Sequence, residues 1–344
     1  MSSTSQVTTF EDLYTDLLNR VRVTTSVAAT LEQAKRYINI ALQDIHLGFD
    51  YKLPWCERQS SVRTKAPYTT GTATFTKGTL TVTGSSTLWN TNDSFSIKNV
   101  VSQGKIVATG YPEIYRVNAV ASDTSLSIYT HFIHDTISGS EYTYFEDEYD
   151  LISLFLRPVD LRQFSPAMGI SLLSRNEFRK RYPVVNVQGR PRVACIIDTD
   201  TSGSSFAQTR RVVFYPYPDR EYIIPYTYIT STVATTSAGS PLTSMSATTD
   251  VPTMPLRYRH AIVLHALASW YRDKKDDARA ESTKAEYTDI MIRIVNDLDI
   301  ATHTTTKLRP MMGSYVGGAK SPYRSGKGGR RVYDLNDDFD SFRR

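Results

Sequence analysis

The chain has 344 residues, 40% hydrophobic and 22% charged, which allows a packed core and excludes wholesale disorder. Its 17 Gly and 15 Pro exclude a collagen-like or low-complexity chain, and its two cysteines, Cys56 and Cys195, exclude a disulfide framework and a cysteine-based zinc module. The formal charge is +5, but residues 301–344 hold nine basic residues against four acids, which leaves residues 1–300 neutral and assigns the basic excess to a C-terminal arm rather than to a nucleic-acid-binding face.

No apolar run approaches the ~18 residues of a membrane span. The polar, acidic start through Phe10-Glu11-Asp12 is unlike a signal peptide. The 22 Tyr suit sheets and protein interfaces, because the ring packs while the hydroxyl stays wet.

In chain order, Thr8 with Glu11 three residues on forms a capping-box pattern. Phe10, Leu13, Tyr14, Leu17, Leu18 and Val21 then recur at helical spacing. A second helix is predicted from Thr30, with Leu31, Ala34, Ile38, Ala41, Leu42 and Ile45 as its apolar stripe. Asn39 beside that stripe is either a polar boundary residue or a pin for a neighbouring loop. Leu53-Pro54-Trp55 ends the helical part, and residues 58–64 read as a strand. From residue 68 the chain turns to short Thr-, Ser- and Val-rich alternating runs, separated by turn dipeptides such as Lys77-Gly78 and Ser122-Asp123. This predicts a small all-β barrel or sandwich, 68–135, inserted between helical and mixed parts.

The acidic cluster Glu146, Asp147, Glu148 and Asp150 reads as a solvated or channel-facing patch. Ser174 is the N-cap expected for a short helix over 172–181. Strands are expected over 192–197, 211–217 and 221–230, the last two as a hairpin around Pro218-Asp219. Residues 231–250, nearly all Ser, Thr, Ala and Gly, read as a flexible loop. Pro255 precedes a largely apolar helix over 256–271, and Tyr287, Ile290, Met291, Ile294, Val295 and Leu298 form another stripe. From Lys307 the periodicity ends in a flexible Gly-rich arm. The expected fold is α+β: a helical bundle core (1–67, 136–250 and 251–306) with the inserted β domain and the extended arm 307–344.

Motifs for chemistry are missing. His260 and His265 are five apart and lack the HExxH pattern; the acidic cluster lacks the Asp-x-Asp-x-Asp-Gly loop; Lys320 stands one residue too late for a phosphate-binding loop after Gly313. There is no G-x-S-x-G elbow. No catalytic residue, metal ligand or cofactor is therefore expected, and a non-enzymatic role is.

Three stretches together resemble the head–tail adaptor (connector) proteins of tailed bacteriophages. They are residues 36–45, Arg-Tyr-Ile-Asn-Ile-Ala-Leu-Gln-Asp-Ile, with Trp55 after them; residues 212–228, from Val212-Val-Phe-Tyr-Pro to Tyr226-Thr-Tyr; and Pro252-Thr-Met-Pro through His260-Ala-Ile and Trp270-Tyr to Glu286-Tyr287. The resemblance implies a ring, typically of twelve copies, that sits below the portal protein at the neck of the virion, carries tail or nozzle proteins, and lets double-stranded DNA pass through its lumen without sequence-specific binding. A ring needs heterologous contacts that close. A lumen that neutralised phosphates with Lys or Arg would hold the genome, so a neutral body with an acidic patch suits a conduit.

The arm then reads as a docking segment for the portal or an adjacent subunit. Its aromatic anchors are Tyr315, Tyr323, Tyr333, Phe339 and Phe342, and its cations are Arg324, Lys327, Arg330, Arg331, Arg343 and Arg344. The β insertion reads as a docking module, with glycan stacking on Trp89 and Tyr111 as the competing role. The alternative reading of the whole chain is a tail fibre or spike-type protein that binds host surfaces; it explains the β insertion but not the amphipathic helices.

Overall fold

A computed structural model of the chain describes residues 7–23, 27–47, 53–200 and 208–307. The chain divides into two units, residues 1–287 and 288–344. Of the second, the described part is helix up to Lys307.

The chain opens with helix α1 (Phe10–Arg20), whose capping box lies one residue beyond the expected pair. Thr9 Oγ1 accepts from Asp12 N–H, and the Asp12 carboxylate accepts from Thr9 N–H at 2.9 Å. Helix α2 (Ala28–Leu47) follows, and buries Ala34, Ile38, Ala41, Leu42 and Ile45. Strand β1 (Glu57–Arg63) comes after the short turn of helix that carries Trp55 and Cys56.

Seven strands then form one sheet: β2 (Thr72–Phe75), β3 (Thr81–Ser85), β4 (Lys105–Ala108), β5 (Tyr115–Ser122), β6 (Ser125–Ile128), β7 (Ile137–Ser140) and β8 (Tyr142–Phe145). Their order is β7-β2-β3-β6-β5-β4-β8. The two ends of that order, β7 and β8, are consecutive in the chain, with only Glu141 between them, so the sheet must curl into a half-barrel that brings its edges together. Alternating residues fill the inside: Phe75, Val82, Trp89, Ile106, Val117, Leu126, Phe132, Tyr142 and Tyr144. The β region extends to Phe145, because β7 and β8 lie beyond residue 135 and complete both edges.

The body resumes with β9 (Glu148–Asp150), β10 (Phe155–Pro158), β11 (Gln163–Ser165) and β12 (Ile170–Leu173). Helix α3 (Arg175–Arg181), capped by Ser174 on Glu177 N–H at 3.3 Å, crosses to β13 (Val193–Asp200), which lies parallel to β12. Strands β14 (Gln208–Tyr215) and β15 (Ile223–Thr230) follow, then the two-residue strands β16 (Ala234–Thr235), β17 (Pro241–Leu242) and β18 (Val251–Pro252). Helices α4 (His260–Asp273) and α5 (Asp277–Lys307) end the described chain. A five-stranded sheet, β11-β12-β13-β14-β9, packs through Phe164, Ile170, Val212 and Phe214 on a three-stranded sheet, β1-β15-β10, which contributes Val62, Ile224, Tyr226, Phe155 and Tyr228.

The expected helical bundle core is thus wrong. The fold is a mixed α/β arrangement dominated by antiparallel sheets, and its helices α1, α2 and α4 pack on one another beside the sheets rather than forming the core. The reason is local. Residues 148–173 pack as strands of three or four residues, too short to show a period, so an apolar run such as Leu151-Ile-Ser-Leu-Phe-Leu carries no sign of its sheet. The expected hairpin of 211–217 with 221–230 also fails. β14 takes β13 and β9 on its two sides, and β15 takes β1 and β10, so both strands are saturated in different sheets.

Residues 231–250 are not a loose loop either. Asn39 Nδ2 donates to Met245 O and Asn39 Oδ1 accepts from Met245 N–H, both at 2.9 Å, so the pin is the reading that holds for Asn39. The Asp250 carboxylate accepts from Ser246 and Ala247 N–H at 2.7 and 2.8 Å, and Phe10 N–H donates to Asp250 O. Arg259 is buried among backbone carbonyls of Met254, Pro252, Val7 and Thr8, which ties the entry of α1 to the entry of α4.

Candidate functional site

The residues on which the curled sheet meets the body form a charged, partly buried junction. Its centre is apolar: Phe145 stacks on Tyr217 with ring centroids 4.0 Å apart, and Val107 and Ile114 pack on the cluster of Phe178, Val185, Cys195 and Val213. Ion pairs surround it. Lys105 Nζ meets Asp147, Arg116 Nη2 meets Glu148 Oε2 at 3.1 Å, and Arg211 meets both Asp150 and Glu148. Arg63 sits over the Phe95 ring at 3.3 Å and reaches Glu221 at 2.7 Å, so the 93–97 turn of the sheet rests on the end of β1.

The acidic cluster is therefore not a solvated patch. Asp147 is 1% exposed and Glu146 and Glu148 are half-buried; Asp150 alone is exposed. Burial raises the Glu146 carboxyl above its ordinary value, and Lys65 opposes this. Glu148 is raised by burial and then by the charge of Asp147. Glu146 also accepts from the Tyr144 hydroxyl at 3.1 Å. Asp147 Oδ1 and Arg116 Nε are buried without a hydrogen-bond partner among the described residues.

Two clefts open beside this junction. One, of about 430 Å³, lies between Ser61–Arg63 of β1, the 101–104 turn and Glu148–Asp150 of β9. The other, of about 320 Å³, lies under α3, lined by Phe178, Tyr182 and Val185 with Arg175 and Arg179 at its rim.

Sequence reasoning missed the cations that neutralise the acids. Lys105, Arg116 and Arg211 lie far from residue 147 in sequence, and only sheet register brings them there. It also missed a pair that looks catalytic. Cys56 Sγ lies 3.0 Å from His46 Nδ1, and His46 Nε2 faces Thr230 O. With Nε2–H given to the carbonyl, Nδ1 accepts from the thiol. Burial pushes the Cys56 thiol up to about 12 and His46 below its ordinary value, so the thiolate does not form near neutrality and the pair holds α2 against β15. Cys195 is buried and raised in the same sense.

Trp89 is fully buried, its Nε1–H donating to Tyr142 Oη at 2.8 Å, so it offers no face to a glycan. His260 lies 3.4 Å from Arg20 and His265 packs edge-on to Tyr287, and no group of three metal-ligating side chains occurs among the described residues. The arm residues Tyr315, Tyr323, Arg324, Lys327, Arg330, Arg331, Tyr333, Phe339, Phe342, Arg343 and Arg344 lie outside the described residues. No described helix is long and apolar enough to cross a membrane. No protein-family model matches the chain, and no curated protein matches it either.

Proposed function

We propose that this chain is a structural protein of a tailed-bacteriophage particle: a head-to-tail adaptor whose copies form a ring below the portal, join the DNA-filled head to the tail, and line part of the DNA channel. The reading takes nothing from the helical bundle that the resemblance implied. What supports it is one observation: the three stretches that carry the resemblance, distant in sequence, come together through neighbouring elements. Tyr37 packs edge-on to Trp270 and Trp55 lies against Tyr258, while Gln33, just before the first stretch, donates to Asp273 of α4 at 2.8 Å. β15, from the middle stretch, pairs along all of β1, which directly follows Trp55.

The curled sheet is inserted between β1 and β9, clear of those stretches in sequence, as a rim module for tail or nozzle proteins would be. In this reading DNA passes without sequence-specific contact, the 310–344 arm docks on the portal or an adjacent copy, and no chemistry is performed. The mass of the assembled full-length protein tests it. The expected result is a closed ring, typically of twelve copies; a stable trimer contradicts the adaptor and favours a host-binding fibre or spike.

A further inference from the structure

We infer that residues 334–342 of one copy, the acidic and aromatic part of the arm, dock in the cleft under α3 of a second copy. This rests on the ring reading above, in which copies of the chain lie side by side.

The cleft, of about 320 Å³, joins an apolar wall to uncompensated positive charge. Phe178, Tyr182, Val184 and Val185 line it, with Ile114 and Val213. Tyr182 lies flat on Tyr215, ring centroids 3.9 Å apart, which fixes the wall. Val184 is 54% exposed, so part of this apolar surface is left uncovered by the fold.

The acids that line the cleft are already neutralised. Asp147 takes Lys105, and Glu148 takes Arg116 and Arg211. The one acid of α3, Glu177, is held by Arg181 at 2.6 Å. Arg175 and Arg179 also line the cleft, one turn apart on α3. Both are exposed, and neither has an ion-pair partner among the described residues. The charge left over is two guanidinium groups beside apolar surface, which selects an anionic ligand with an apolar body.

The chain carries such a segment. All four acids of residues 301–344 fall within residues 334–342, Asp334-Leu-Asn-Asp-Asp-Phe-Asp-Ser-Phe342, and no base stands among them. Asp338 and Asp340 flank Phe339, as Arg175 and Arg179 flank Phe178 on α3. The preceding part of the arm is excluded by charge, because Lys320, Arg324, Lys327, Arg330 and Arg331 would set base against base. Nucleic-acid phosphate would meet the two arginines but leave the apolar wall bare, so the peptide is the better match. Segment and cleft are different surfaces of one chain, so the contact between copies is heterologous, the type that closes a ring.

The test uses full-length chains with the photoreactive residue p-benzoylphenylalanine in place of Phe339. Isotope-labelled and unlabelled chains are assembled together, irradiated and digested. Expected are cross-linked peptides that join the 334–342 region of a labelled chain to residues 175–187 of an unlabelled one. Arg175→Glu with Arg179→Glu should leave the circular dichroism spectrum unchanged and cut the cross-link about tenfold. Asp338→Lys with Asp340→Lys, added to those chains, should restore it. Rings without a cross-link to the cleft, links within one chain only, or a yield undiminished by the arginine reversal overturn the docking and leave the ring reading standing. A chain that never exceeds a monomer or dimer overturns both.

Discussion

Residues 72–145 and the body around them treat their strand edges differently. The curled sheet joins its two edge strands through Glu141, seats Tyr68 against Tyr144 beyond β8, and encloses Trp89, Phe75 and Phe132 at 1% exposure or less. It is finished within one chain. The body has three open sheets and a polar junction with six ion-paired side chains. The difference lies in closure: the insertion brings its two edge strands together within one chain, whereas the sheets of the body end in separate edge strands.

The largest test of that contrast is Trp89→Ala. It removes the centre of the insertion's core together with the bond to Tyr142, and should cost about 3–5 kcal/mol. If the two regions are as separate as their cores, hydrogen exchange will rise in β2–β8 and stay low in α2 and α4; equal loss in both would show that the insertion supports the body. Arg259→Met probes the packed helices α1, α2 and α4. Four carbonyl partners lose their donor, so a loss of about 3 kcal/mol is expected in chemical denaturation, with α1 the first element to lose protection. Asn39→Ala removes the reciprocal pair with Met245 and should cost roughly 2 kcal/mol, with new proteolytic cuts near Met245; unchanged cutting would mean that Asp250 alone orders that loop.

Acid should separate the two regions without a mutation. His46, His260 and His265 are all held below the ordinary histidine value by burial. The fold prefers them neutral, so their contribution is present above the unfolded value of 6.5 and is lost as pH falls below it. Glu146 and Glu148 are raised, so the fold prefers them protonated; their contribution is present at low pH and is lost as pH rises past 4.5. Between pH 7 and pH 5, amide exchange should therefore increase in α2 and α4 while the junction stays constant or tightens. Exchange that increases first at Glu146 and Asp147 would reverse the assignment.

Much of this was legible in the residues. The periodic stripes of Phe10–Leu18 and Leu31–Ile45 and the cap at Ser174 are local features, and the helices formed where local pattern is strong. The alternation in Thr74-Phe75 and Thr81-Val82-Thr83 likewise marks strands. The body was illegible because its strands are short and their partners remote: β1 pairs with β15 across about half the chain. The acids at 146–150 were visible, but their neutralising Lys105, Arg116 and Arg211 are set by register, and a charge tally cannot see register. The Cys56–His46 contact, ten residues apart across a helix end, had no motif to announce it.

The proposed role puts this chain in a ring around DNA at the neck of a virion. Electron cryomicroscopy of that neck is the direct measurement. The expected result is copies of this chain in one closed ring beneath the portal. Density for the chain at the far end of the tail, or as isolated copies, would contradict it.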